Sequence, residues 1–316
     1  MGRTVRSRLR KAIHASGLLV ACCVLLQSAS ADTIFVSDYG GHAVHEYTMS
    51  GTLIRDLTLG FQFNPYDLAL DGAGSLFVAN YIYGEVERFD VYSGDYLGAV
   101  GNFAPGDYHP LGLAMGPDGG LYFGDNNVSI FRIDLSANTT AAVYSPASAA
   151  GTDLVFLPDG RLLTNDGASK VLFDGTAGPG NVFATGFGTP WGMVLGPDGQ
   201  LYVVDRSVGD KSVRVVGASG GTAVPFTSVN SLSDGRFLAF DNSGNLWVTD
   251  SGANRVKEFD GATGALVTSF ISLNGFGIAI APDQSDVPEP GTAGDVALAV
   301  AAGFFAPRKR RRPTAA

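Results

Sequence analysis

Seven side chains sit where a repeating sequence could bring chemistry to one place: Asn64, Asp67, His109, Asp153, Trp191, Asn230 and Asn274. Each falls at the start of the first strand of its repeat or in the loop entering it. Asp67 and Asp153 supply carboxylates, and Asn64 and Asn274 supply amide carbonyls. These are hard oxygen donors of the kind calcium takes, with Asp67 and Asp153 as the candidate metal ligands. No other cofactor is expected. His109 is one well-placed histidine, which is not an acid–base constellation. His42 and His45 belong to or flank a third strand, away from the others. No Ser-His-Asp order, His-x-His pair or phosphate-binding glycine loop stands out. The only cysteines, Cys22 and Cys23, adjoin one another near the start, so a mature disulfide is excluded once a leader is removed.

The elements that position these residues come from one recurring phrase. Leu195–Asp205 (LGPDGQLYVVD) is an apolar run, a Pro-Asp-Gly turn, and a second apolar run ending in Asp. Pro197 presets φ and Gly199 permits φ > 0, which suits a tight turn between strands. Ala69–Asn80, Met115–Asp125, Phe156–Asp166 and Phe240–Asp250 follow the same plan. The apolar residue opening each second run falls at Ile34, Leu76, Leu121, Leu162, Leu201 and Leu246, at spacings of 42, 45, 41, 39 and 45. Third strands follow, at 43–47, 84–89, 129–133, 169–173, 212–216 and 255–259. Fourth runs are clear at 53–59, 96–100 and 266–270. Units of this length with four strands each predict an all-β, six-bladed β-propeller. The chain enters at a second strand, Ile34–Ser37, and its missing first strand stands at the other end, Phe276–Ile280. N- and C-terminal strands therefore complete the first blade. The recurring Asp38, Asn80, Asp125, Asp166, Asp205 and Asp250 read as caps for backbone donors, since catalysis would not recur in every unit.

The expected domains are a signal peptide at 1–31, the propeller at 32–284 and a sorting tail at 285–316. Arg3 to Lys11 is basic, Gly17–Leu26 is apolar, and Ala29-Ser30-Ala31 fits a cleavage site before Asp32. Leu19–Cys22 offers a lipobox as the alternative. Formal net charge is −9, yet both ends are basic, and residues 32–290 hold 29 acids against 11 bases. Such a body repels nucleic acid and anionic lipid surfaces.

Two resemblances add to this reading. Val287, Pro288, Glu289 and Pro290, then the apolar Val296–Ala306 and the basic Arg308–Arg312, resemble the PEP-CTERM sorting signal of Gram-negative bacteria. That resemblance implies an exosortase partner, transient inner-membrane anchoring through the tail, and arginines left on the cytoplasmic side. Pro65–Asp90, Asn245–Asp260, and Phe276–Asp283 joined to Ile34–Tyr47 resemble NHL repeats, which implies a propeller and no single activity. Two enzyme families on this architecture are weaker fits. Asn274-Gly275-Phe276 echoes a segment of the senescence marker protein/gluconolactonase family, but Asn64-Pro65-Tyr66 stands where its Glu-Gly-Pro would be. Streptogramin lyases need histidines that this chain lacks in number.

The expectation is an exported, surface-sorted, monomeric propeller that binds an envelope protein or exopolysaccharide without catalysis. A channel lined by Leu68, Gly112, Leu113, Leu154, Gly192 and Gly277 would favour binding. The alternative is a metal-dependent enzyme of the lactonase or lyase type.

Overall fold

The computed structural model describes residues 32–102, 108–126, 129–144, 153–165, 168–174, 182–271 and 274–282. The leader with Ala29 and Ala31, the tail with Val287, Pro288, Glu289 and Pro290, and Asp166 lie outside the described residues. No described helix is long and apolar enough to cross a membrane.

The Pro-Asp-Gly phrase makes the turn its residues demand. Gly199 has φ +75° and its N–H donates to the Gly196 carbonyl at 2.9 Å. The Asp198 side chain accepts from the Gln200 N–H at 3.0 Å and from the Tyr202 hydroxyl at 3.0 Å. Gly119, Gly160 and Gly244 close their own turns in the same way.

These turns join strands into six sheets, numbered here in chain order. Sheet one takes its first strand from the C-terminal side, Gly275–Ala281, and continues with Thr33–Asp38, Ala43–Thr48 and Leu53–Leu57. Sheet two runs Pro65–Leu70, Ser75–Asn80, Glu85–Asp90, Tyr96–Val100, and sheet three Pro110–Met115, Leu121–Asp125, Ser129–Asp134, Thr139–Tyr144. Sheet four begins Leu154–Phe156, Leu162–Asn165, Val171–Asp174, Val182–Thr185. Sheet five holds Pro190–Leu195, Leu201–Asp205, Ser212–Val216 and Val224–Pro225, and sheet six Gly235–Phe240, Leu246–Asp250, Arg255–Phe259 and Leu266–Ile271.

One detail departs from a plain repeat. After the third strand of sheet five, Gly221–Thr222 adds in parallel to the outer edge of sheet four, giving it a fifth strand. Only Val224–Pro225 then remains to edge sheet five.

The first strands pack side by side in the order of the sheets, and sheet six returns to sheet one. Each sheet is covered on both faces by its neighbours, so second strands such as Leu201–Asp205 and Leu246–Asp250 are buried throughout. That is why they read as unbroken apolar runs and do not alternate. The core accordingly lies between sheets. Phe35, Val44 and Leu57 of sheet one meet Leu68, Val78 and Phe89 of sheet two, while Tyr202 and Val204 of sheet five meet Leu238 and Val248 of sheet six.

Close approach of first strands explains two glycines. A Cβ on Gly277 would stand 2.6 Å from the Tyr66 carbonyl oxygen, and one on Gly192 would stand 2.3 Å from the Arg236 carbonyl oxygen. Beside Gly277, the Ser37 hydroxyl accepts from the Gly277 N–H at 2.7 Å and donates to the Tyr66 carbonyl at 2.7 Å. We expect Gly277→Ala to cost about 1–3 kcal/mol by overpacking. Ser37→Ala should cost about 1–3 kcal/mol by leaving a buried amide unpaired. Urea unfolding monitored by circular dichroism measures both, with the exposed Ser50→Ala as a near-neutral control.

Candidate functional site

Five of the six first strands carry the same irregularity. Pro65 pairs with Asn80 and Leu68 with Val78, so one extra residue is accommodated in between. The same skip falls at 110–113, 190–193, 235–238 and 275–278. Such a bulge re-aims side chains and takes an amide out of the ladder. Pro65, Pro110 and Pro190 suit the first position, because proline has no N–H to contribute.

The freed amides are answered by buried polar side chains. Asp67 accepts from the Leu113 N–H of the next sheet at 2.8 Å, and Asp153 accepts from the Met193 N–H of the next sheet. Asp153 also takes its own neighbour Leu154 N–H at 2.7 Å. Thr249 accepts from Phe237 N–H at 3.1 Å and donates to the Phe276 carbonyl, the same double contact that Ser37 makes. Asn165 donates to the Trp191 carbonyl at 2.7 Å. Adjacent sheets are thus tied where no ladder joins them.

Inside the ring lies a cavity of about 230 Å³, lined by all six first strands and including Asp67, Leu113, Asp153, Met193, Phe237 and Ile278. Burial pushes the Asp67 carboxyl up to about 7, against the backbone N–H bonds from Leu113 and Leu68 that pull it down. Burial, followed by the charge of Asp67, raises Asp153 well above the usual carboxylate range. At neutral pH this pair holds less than two negative charges.

One residue nearer the strand starts, the bulges present a different set of side chains. Tyr66 packs on Phe276 at 5.2 Å and on Tyr81 at 5.5 Å between ring centroids, and Tyr39 lies 5.5 Å from Phe276. The Arg206 guanidinium stands 4.3 Å from the Trp191 ring centroid, and Arg236 stands 4.5 Å from Phe276 and 5.4 Å from Trp191. Asp234 accepts from Arg206 and Arg236 at 2.6 Å each. The indole Nε1 of Trp191 is buried and has no hydrogen-bond partner among the described residues. Burial raises Tyr66, and burial followed by the charge of Arg206 lowers Arg236.

Of the residues singled out from the sequence, Trp191 lies in this mouth, and His109 touches its edge through Tyr81, 5.5 Å away. Asp67 and Asp153 lie deeper, in the channel. Asn64 is turned elsewhere, donating to the Tyr39 carbonyl at 3.2 Å and lying 3.3 Å from His42. Asn274 is exposed in a left-handed turn (φ +44°) against Asn254, and Asn230 occupies a similar turn (φ +58°). The four oxygen donors expected to share a calcium ion are therefore not brought together. No group of three or more His, Cys, Asp or Glu side chains able to hold a metal occurs among the described residues.

His42 and His45 stay clear of the channel. His42 meets the Phe63 carbonyl at 2.9 Å, and His45 lies between Asp56 at 2.6 Å and Asp38 at 3.4 Å. The strand-end acids cap loops as expected: Asp205 takes Gly188 and Thr189 amides, and Asp250 takes Ser233 and Asp234 amides.

Tyr39, Tyr66, Tyr81, Arg206, Arg236 and Phe276 were not singled out from the sequence. A signal existed in two repeat columns. Tyr66, Trp191, Arg236 and Phe276 each follow the opening residue of a first strand, and Tyr39, Tyr81 and Arg206 each follow the strand-end Asp or Asn.

No known family profile matches the sequence, and no curated protein matches it. Solved structures do. A chain of a nidogen/laminin complex aligns with TM-score 0.66 at 15% identity, covering 79% of this chain and 98% of that one. A catalytically inactive virginiamycin B lyase from Staphylococcus aureus with quinupristin aligns with TM-score 0.55 at 15% identity, covering 79% and 86%. A protein of unknown function from Bacteroides caccae aligns with TM-score 0.61 at 14% identity, covering 80% and 100%. The chain is a β-propeller. At these identities the likeness extends to the fold alone.

The channel carboxyls give the propeller a pH dependence. Both bind protons more tightly folded than unfolded, so their stabilising effect is complete below the unfolded value near 4. It is lost as pH rises through the folded values, about 7 for Asp67. Within that window each carboxyl contributes a slope of up to about 1.4 kcal/mol per pH unit. Asp67→Asn should flatten the decline, as read from urea midpoints between pH 4.5 and 8. An unchanged profile would exclude Asp67 as the titrating group.

Proposed function

We propose that this chain is an exported, surface-sorted, six-bladed propeller of NHL type that binds a component of the cell envelope at its channel mouth. The six sheets are read as its six blades, the first completed by the strand Gly275–Ala281. One observation carries the binding reading. Arg206, just after a strand end, and Arg236, at a bulged strand start, converge with the rings of Trp191 and Phe276 on one mouth. Export and sorting rest on the sequence: the leader to Ala31, then Val287–Pro290, the apolar run and Arg308–Arg312. An exosortase-type enzyme is the proposed partner of that tail, with the tail anchored transiently in the inner membrane. The body acts as a monomer, and its ligand is an envelope protein or exopolysaccharide.

Calcium at Asp67 and Asp153 belongs to the alternative reading, a lactonase- or lyase-like enzyme. That reading has the lyase likeness in fold and no better support.

Two measurements test the proposal. Replacing Pro288, Glu289 and Pro290 by alanine should hold the uncleaved chain in the inner-membrane fraction, whereas the wild-type protein reaches the surface. Trp191→Ala combined with Arg206→Ala should weaken binding to isolated envelope material by about tenfold or more, the scale of a lost interface anchor. Stoichiometric, tight calcium with turnover of lactone or ester substrates would favour the enzyme.

A further inference from the structure

The mouth is rich in donors and short of acceptors. Each guanidinium carries five N–H groups. The contacts with Asp234 and Ser251 occupy two on Arg236, and Asp234 takes two on Arg206. The remainder face no acid among the described ion pairs. One carboxylate between two guanidinium groups leaves a local excess of positive charge. That excess is set in a body where acids outnumber bases by 29 to 11 over residues 32–290. Burial, followed by the charge of Arg206, lowers the proton affinity of Arg236, with Asp234 opposing both. Burial keeps the Tyr66 and Tyr39 phenols protonated, so they too can donate.

This set suits an anion, and the planar forks of two arginines match a carboxylate best. The neighbouring surfaces specify what carries it. Tyr39, Tyr81, His109, Trp191 and Phe276 are all half-buried, so each keeps some surface open beside the guanidinium pair. A saturated ring with axial C–H groups packs on such faces while its hydroxyls meet phenol donors. We propose that the mouth binds a uronate, a carboxylate carried on a sugar ring, with Arg206 and Arg236 on the carboxylate and the Tyr39–Tyr66–Tyr81 aromatic group against the ring. This rests on the binding reading above and names its ligand class. The acidic body opposes a long polyanion, so the site takes a single unit or a chain end, and an oligouronate gains little over the monomer at low salt.

The chain has two tryptophans, and Trp247 is buried in the core, so Trp191 reports on the mouth. Galacturonate is titrated into the purified protein and followed by tryptophan fluorescence, with galactose, inorganic phosphate and sulfate in parallel. The expected result is a saturable change with galacturonate and none with galactose. Arg206→Gln and Arg236→Gln weaken it by about tenfold or more, and Arg206→Lys, which keeps charge without the fork, by an intermediate factor. Arg161→Gln, an exposed ion-pair arginine next to a Pro-Asp-Gly turn, leaves it unchanged. Thermal melts confirm that each variant is folded. No response to galacturonate, an equal response to galactose, or tighter binding of phosphate or sulfate overturns the assignment. Envelope material that binds through Arg206 but is not displaced by galacturonate overturns the uronate and leaves the binding reading intact. Binding of that material unaffected by every mouth variant overturns the binding reading itself.

Discussion

The propeller depends on how it settles the backbone amides that the bulges release. Neighbouring first strands lie close enough that glycine is required at 192 and 277, yet no hydrogen-bond ladder joins them. A buried N–H left unpaired costs about 1–3 kcal/mol, and the bulge repeats around the ring. At four of the six seams a buried side chain answers. Ser37 ties sheet one to sheet two, Asp67 ties two to three, Asp153 and Asn165 tie four to five, and Thr249 ties six to one. The hydroxyls perform this task as donor and acceptor at once. The carboxylates can only accept while ionised, and each takes two amides; burial nonetheless makes them retain a proton to higher pH, against the pull of those amides.

That difference decides what Asp67 and Asp153 can do. A carboxylate moved out of water loses several kcal/mol of solvation even after relaxation. Two backbone bonds recover part of it, and protonation recovers more. Leu113 and Leu68 engage Asp67, and Met193 and Leu154 engage Asp153, so both carboxylates serve the seams. The 190–193 bulge that presents the Met193 amide to Asp153 also carries Trp191 at the mouth, and the 65–68 bulge carries Tyr66 there. Stability and recognition therefore arise from a single backbone irregularity, with alternate residues serving each.

The repeat was legible because a tight turn dictates its residues: Pro-Asp-Gly at 197–199 leaves few conformations open, and the apolar run after it must be a strand. The seam residues were only half legible. Asp67 and Asp153 were singled out by position, but a carboxylate that holds a backbone amide and one that binds calcium look alike in one sequence. Asparagine is also favoured where loops tighten, as at Asn274 with φ +44°, and Asn64 is engaged by the Tyr39 carbonyl. Arg236 was missed because a bulge adds a residue to a strand without changing its apolar pattern, and Arg206 because it follows a strand-end acid that reads as a cap. Tyr66 and Arg236 read as ordinary strand positions until the register Pro65–Asn80 and Gly235–Asp250 shows the skip. The fifth strand of sheet four was illegible too, because Gly221–Thr222 carries no strand signal and is recruited only by the exposed edge of Val182–Thr185.

Likeness in fold to a nidogen/laminin chain and to a lyase leaves the activity open, since the scaffold fixes where a site can be and says little about what fills it. Here the scaffold concentrates two of the body's few basic residues at the mouth and surrounds them with acids elsewhere. An attractive spot within a repulsive surface selects by size as well as by charge. A small anion reaches the guanidinium pair past fields that screening shortens to about 8 Å at physiological salt, whereas an extended polyanion also meets the net negative charge of the rest of the body. Placing Arg206 and Arg236 on the aromatic faces of Trp191 and Phe276 also fixes their orientation before any ligand arrives. Little side-chain entropy is then lost on binding. The rigidity of that arrangement comes from Asp234 and from the seams below it. The mouth is therefore only as well ordered as the buried amide contacts on which its strands rest.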